Sequence, residues 1–201
     1  MKTPAKANVY LTGFMTAGKS TIGHQLAREL RWSFVDIDER IEKKFGLPVS
    51  RIFEELGEKA FREAESREIA RCSKLNHRVI ALGGGALLDP ANLRSVRSSG
   101  LLIHLKITAR TVLTRAARQR GRRPLLKGLS KKEAQARIRD LLKARQKSYR
   151  AANLSISTDE LTPPQIVAAL LRRKLLVQCC RGPANKIASS YETHSRRARR
   201  P

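Results

Sequence analysis

The chain has 201 residues, 42 of them Lys or Arg and 17 Asp or Glu, for a formal net charge of +25. Hydrophobic residues make up 41%, which suits one globular domain with its own core and excludes a wholly disordered chain. No stretch approaches the ~20 consecutive apolar residues of a transmembrane helix, and Val9-Tyr10-Leu11 is too short for a signal-peptide core. The three cysteines, Cys72, Cys179 and Cys180, form neither a disulfide framework nor a zinc-ligand spacing. This points to a reducing, cytoplasmic protein. The charge excess suggests anionic partners, such as nucleotides, phosphorylated metabolites or nucleic acid. From residue 178 onward six Lys/Arg face one Glu, so a net +20 stays on the body and the basicity is not a tail effect.

In chain order, apolar runs predict strands over 9–12, 34–36, 79–81, 101–105 and 154–157. Helical patterns lie between and after them, over 19–30, 38–45, 58–75, 92–98, 108–118, 131–149 and 163–177. The last opens with Thr162 as N-cap and proline in its first turn. Short strands alternating with helices imply parallel pairing with right-handed crossovers. The fold class is therefore α/β, a three-layer sandwich around a five-stranded parallel sheet. Residues 118–130, basic and carrying two glycines and a proline, read as a mobile lid, and 178–201 as a disordered basic tail beyond a domain ending at 177.

Four features carry chemistry. Gly13-Phe14-Met15-Thr16-Ala17-Gly18-Lys19-Ser20 fits the phosphate-binding pattern G-x-x-x-x-G-K-[ST], directly after a strand and before a helix. Its backbone N–H groups and the helix N-terminus form an anion nest. Lys19 supplies a point charge for the β- and γ-phosphates, and Ser20 a magnesium ligand. Second, Asp36 and Asp38 stand two residues apart at a strand's end. One suits a water-held magnesium and the other a proton acceptor; the plainer alternative makes Asp38 a helix N-cap and Asp36 a solvated turn residue. Third, Gly83-Gly84-Gly85 leaves the backbone bare at the carboxyl end of a strand, where α/β sheets bind ligands. Fourth, Arg145 lies in the apolar stripe of its helix with Ile138, Leu141, Leu142 and Tyr149, and so must find an anion or reach out to water. Arg62 is its natural companion for a substrate carboxylate. Its alternative is a surface pairing with Glu58 and Glu65.

Taken together, these motifs resemble the shikimate kinase family, a small branch of the P-loop kinases related to nucleoside monophosphate kinases. The resemblance runs from about residue 9 to 177. The glycine triplet stands where many P-loop enzymes carry an acidic second nucleotide-binding motif. The resemblance implies that ATP phosphates are wrapped by Thr16, Ala17, Gly18, Lys19, Ser20 and Thr21, with Ser20 and Asp36 on Mg2+. It implies that Asp38 binds the reacting hydroxyl as base. Arg62, Arg145, Gly84 and Gly85 would hold shikimate, with Phe53 and Phe61 as the apolar wall. Arg123 would be the lid arginine reaching the phosphates, with Arg122 as the other candidate, because the segment after Arg115 is one residue longer than the family usually has. Arg115 and Pro163 would flank the adenine. The implied reaction is ATP-dependent phosphorylation of the 3-hydroxyl of shikimate in aromatic amino acid biosynthesis, by a cytoplasmic monomer with no membrane partner. The rivals are a gluconate-kinase-like enzyme and a nucleotide-dependent nucleic-acid-binding protein. The second lacks aromatic stacking platforms, since aromatics are 4% of the chain.

Overall fold

The computed structural model describes residues 8–118 and 129–180. Five strands, β1 (Asn8–Gly13), β2 (Ser33–Asp36), β3 (Arg78–Ala81), β4 (Gly100–Lys106) and β5 (Leu154–Ser157), form one parallel sheet in the order β2-β3-β1-β4-β5. The expected fold class is the one observed. β1 is central, with Val9 opposite Val79 on one side and Leu101 on the other. The chain leaves β1 toward β2 and β3, then crosses past β1 to β4. Such a reversal opens a crevice at the carboxyl ends of the strands.

Alternation along β1 divides the core. Val9 and Leu11 face one layer and Tyr10 the other, following the two-residue period of a strand. The first layer holds α1 (Lys19–Leu30), α6 (Ala109–Arg118), α7 (Lys131–Arg150), α8 (Pro163–Leu171) and α9 (Lys174–Cys180), through Ile22, Leu26, Val112, Ile138, Ile166 and Leu176 among others. The second holds α2 (Ile37–Phe45), α3 (Val49–Glu55), α4 (Gly57–Cys72) and α5 (Pro90–Ser99), through Ile41, Ile52, Phe61, Ile69 and Val96. The inner strands β1, β3 and β4 are covered on both faces and read as near-continuous apolar runs, while the edge strand β5 reads as an alternation, Leu154-Ser155-Ile156-Ser157.

Several helices differ from expectation. Helix α3 is additional. Its first N–H groups have no side-chain cap of their own, but the Glu42 carboxylate accepts from the Val49 N–H at 2.8 Å. Gly57, at φ +81°, then turns the chain into α4, which ends at Cys72 rather than 75. Helix α2 starts at Ile37, capped by Asp36, whose Oδ1 accepts the Asp38 N–H at 3.0 Å. The alternative in which Asp38 is the cap and Asp36 a mere turn residue is thereby overturned. The expected single helix over 163–177 is two. It breaks at Arg172 and Arg173, where the Arg173 N–H turns to the Leu170 carbonyl, and this lets Leu176 into the core.

Helix α9 also runs past 177 to Cys180. The Cys179 thiol packs on the core and lies 3.5 Å from the Asn8 carbonyl of β1. A chain ending at Cys180 is therefore expected to keep its Tm within a few degrees. One ending at Gln178 should lose ~1 kcal/mol more, on the scale of a small buried group. Thermal melts of the two truncations check this. The lid expected over 118–130 and the tail beyond 180 lie largely or wholly outside the described residues. From Ser130 the chain is described again as the N-cap of α7, in a reciprocal capping box with Glu133.

Candidate active site

The crevice is built from three strand ends. After β1, the loop from Gly13 turns into α1 with Gly18 in a left-handed conformation, φ +86°, as the N-cap. No side chain caps this helix, so its first N–H groups stay available for an anion. Thr16 also takes a positive φ of 62°, and its carbonyl accepts from Arg115 Nη1 at 3.1 Å. Lys19 folds over the loop, its Nζ donating to the Gly13 and Phe14 carbonyls at 3.1 and 3.4 Å. Arg115 also donates to the Thr158 carbonyl just past β5. The same connection leads to Pro163 at the start of α8. Arg115 thus ties the phosphate loop to the segment that carries Pro163.

After β2, Ser20 Oγ donates to Asp36 Oδ2 at 2.7 Å. These are hard oxygen donors, and their contact lets one small cation share them. Among the described residues no group of three or more acidic, histidine or cysteine side chains is arranged to hold a metal. Magnesium bound to nucleotide phosphates needs only one or two protein oxygens and keeps its waters, so the pair fits it.

Asp38, the second residue of α2, has its Oδ1 buried without a hydrogen-bond partner. Burial, reinforced by the neighbouring Asp36 charge, pushes its pKa up to about 6. Across from it lies Glu65 of α4, fully buried, with Oε1 likewise unpartnered and its pKa raised by burial against the opposing pull of Arg62. Arg62 bonds Glu65 at 2.7 Å and Glu58 at 3.1 Å. Its guanidinium carbon also lies 5.3 Å from the Phe61 ring centroid and 5.9 Å from that of Phe53, the two rings being 4.8 Å apart. The pairing of Arg62 with Glu58 and Glu65 is present, and the same guanidinium lies against Gly85 of the glycine loop. Arg145 is buried in α7, its guanidinium carbon 5.2 Å from the Phe14 ring centroid and its Nε unpartnered.

After β3, the glycine triplet explains why these groups converge. A Cβ on Gly83 would meet Glu65 Oε1 at 2.2 Å and Asp38 Oδ1 at 3.1 Å. One on Gly84 would meet Arg145 Nη1 at 2.8 Å, and one on Gly85 Arg62 Nη2 at 2.9 Å. Each glycine gives way to a charged side chain from another element.

Of the expected residues, Asp38, Arg62, Gly84, Gly85, Arg145, Phe53 and Phe61 gather around one pocket. Thr16 to Thr21, Ser20 with Asp36, and Arg115 gather beside it. Arg122 and Arg123 lie outside the described residues. Glu65, read from the sequence only as a surface partner of Arg62, is the residue that sequence reasoning missed. Glu65 falls in the inward stripe of α4 with Phe61, Ala64, Glu68 and Ile69, and a charge in an apolar stripe is the signal that did single out Arg145.

A phosphate-gripping loop on the central strand, facing a buried pocket of two carboxylates and two arginines, defines a P-loop phosphotransferase acting on a small anionic acceptor. The shikimate kinase family model matches residues 15–175. The shikimate kinase of Persephonella marina is 42% identical over 166 residues, 83% of this chain and 98% of that protein. The solved shikimate kinase from Acinetobacter baumannii, in complex with shikimate, superposes with a TM-score of 0.76 at 34% identity, covering 82% of this chain and 90% of that one. A gluconokinase from Sinorhizobium meliloti shares the fold alone, with a TM-score of 0.54 at 13% identity over 95% of this chain and 98% of its own. This chain belongs to the shikimate kinase family, and it is an ATP-dependent kinase by that membership.

Proposed function

We propose that the protein transfers the γ-phosphoryl group of ATP to the 3-hydroxyl of shikimate, giving shikimate 3-phosphate and ADP. The observation that carries this reading is the set of buried, unpartnered polar atoms around the glycine loop: Asp38 Oδ1, Glu65 Oε1 and Arg145 Nε. Buried polar atoms without partners are rare in native interiors. An acceptor bearing both a carboxylate and hydroxyls brings partners to Asp38 and Arg145 at once. Arg62 and Arg145 bind the carboxylate, and Asp38 accepts from the reacting hydroxyl. The hydroxyl oxygen bonds to the γ-phosphorus, the bond from phosphorus to the β–γ bridging oxygen breaks, and Asp38 takes the hydroxyl proton. Lys19 neutralises charge that develops on the phosphate oxygens. Ser20 and Asp36 would hold Mg2+, which would supply charge neutralisation on the nucleotide phosphates. Arg123 adds to that from the lid, and Arg115 and Pro163 border the adenine. The reaction takes place in the cytoplasm, in a monomer, with neither a membrane nor nucleic acid as a partner.

The decisive experiment is a coupled ATPase assay with shikimate, gluconate or RNA added in turn. Stimulation by shikimate alone is the expected result. Stimulation by gluconate or RNA instead would sink the proposal. The glycine loop offers a further check. Gly84→Ala and Gly85→Ala each push a methyl group into an arginine that binds the acceptor. KM for shikimate should rise at least tenfold, while KM for ATP stays within about twofold, since one misplaced charged contact costs roughly 1.5–3 kcal/mol.

A further inference from the structure

We infer that Tyr149 is a positioning residue for the acceptor site, through which the carboxylate-binding arginine and the glycine loop are held at a fixed separation. This rests on the shikimate reading. Tyr149 sits one helical turn after Arg145 on α7, so the two side chains lie on one face. Its hydroxyl donates to the Gly84 carbonyl at 3.0 Å. Arg145 Nη1 lies where a Cβ on the same glycine would stand, 2.8 Å from that position. Gly84 is thus bonded at its carbonyl by the phenol and packed closely by the guanidinium, both from one helix. Glycine has the freest backbone of any residue, so a loop of three would wander without such a hold.

Tyr149 is itself immobilised. It is 5% exposed. Its ring stacks on His104 of β4, with centroids 4.4 Å apart and planes at 22°. Burial and the nearby Lys106 hold the His104 pKa down to about 4, so the imidazole under the ring is neutral. The end of α7 is sewn to the same strand, because Asn153 exchanges hydrogen bonds with both the N–H and the carbonyl of Leu102. The phenol remains protonated, since burial raises its pKa against the lowering effect of Arg145. It therefore donates to Gly84 at any working pH. The sheet thereby fixes the ring, the ring fixes Gly84, and α7 fixes Arg145 relative to both. Recognition of a carboxylate by two groups depends on their spacing to within about 1 Å, and this chain of contacts sets that spacing.

The test uses Tyr149→Phe, which removes one oxygen atom and keeps the ring on His104. It is assayed with shikimate and with the analogue whose carboxylate is a carboxamide. KM for shikimate is expected to rise five- to twentyfold, KM for ATP to stay within twofold, and kcat/KM for the carboxamide to change less than twofold. A purely structural role predicts equal losses with both acceptors, or a lower Tm with no change in KM, and either result overturns the inference. His104→Asn is the second variant: it keeps the hydroxyl but removes the surface on which its ring lies. It should raise KM for shikimate at least threefold with KM for ATP unmoved. No shift in either variant also overturns the inference. If wild-type protein does not phosphorylate shikimate at all, the functional reading has failed instead, so the two failures are separable.

Discussion

Lys19→Ala is expected to lower kcat by about 10²–10³-fold, the usual cost of removing one preorganised contact to a charge that develops in the transition state. The fold should survive. Lys19 lies at a half-exposed loop, and its hydrogen bonds run to the Gly13 and Phe14 carbonyls, which water reaches once the lysine is gone. Rapid-quench kinetics beside a thermal melt would separate the two effects. A variant with near-normal kcat would rule out the kinase reading, because no other described side chain brings a positive charge into that loop from within it.

Asp38→Asn should abolish turnover and stabilise the protein together. The amide cannot accept the hydroxyl proton, so kcat for shikimate should fall by at least 10²–10⁴-fold, the range of a positioned general base. Stability moves the other way. In protein free of nucleotide and magnesium, the Asp38 pKa is about 6 against an ordinary 3.8. The folded state therefore binds the proton more tightly than the unfolded state. Its contribution to stability is largest below pH ~4, falls as pH rises through about 6, and stays low above that. A shift of about two units corresponds to up to ~3 kcal/mol at neutral pH. Asparagine removes the buried charge facing Asp36 and Glu65, so Tm at pH 7.5 should rise by several degrees, and this gain should vanish at pH 4. A variant that is merely less stable, with turnover intact, would make Asp38 a structural residue. Asp36→Asn is the control. It keeps an oxygen to cap α2 but removes the carboxylate charge beside Ser20, so it should raise the magnesium concentration for half-maximal rate.

The parts of the molecule that local sequence could dictate were legible in it. The inner strands β1, β3 and β4 are apolar runs because both faces of the sheet are covered there. The phosphate loop is a contiguous motif whose glycines and lysine are defined by backbone geometry. Arg145 betrayed itself as a charge in an apolar stripe. What escaped depends on partners far along the chain. Helix α3 starts where the Glu42 carboxylate waits, and no local cap announces it. The break between α8 and α9 is settled by where Leu176 finds space in the core. Glu65 was hidden by its ordinary i,i+3 relation to Arg62, which gave it a surface explanation although it is fully buried. The glycine triplet read as bare backbone. That each glycine makes room for a different charged group, from α4, α2 or α7, is information held only by the folded arrangement.

The adjacency of β1 and β3 has a consequence for the reaction coordinate. The donor loop leaves the end of β1 and the acceptor loop the end of β3, and the two strands are hydrogen-bonded neighbours in register, with Leu11 opposite Ala81. Hydrogen-bonded strands stand ~4.8 Å apart, a spacing set by peptide geometry and insensitive to side chains. The two reactants are thus mounted on a ruler made of main chain. Substitutions in either loop reorient a group or change its charge, but the baseline between the two mounts stays where the sheet puts it. Changing the acceptor therefore means rebuilding the pocket around a fixed gap, one side chain at a time.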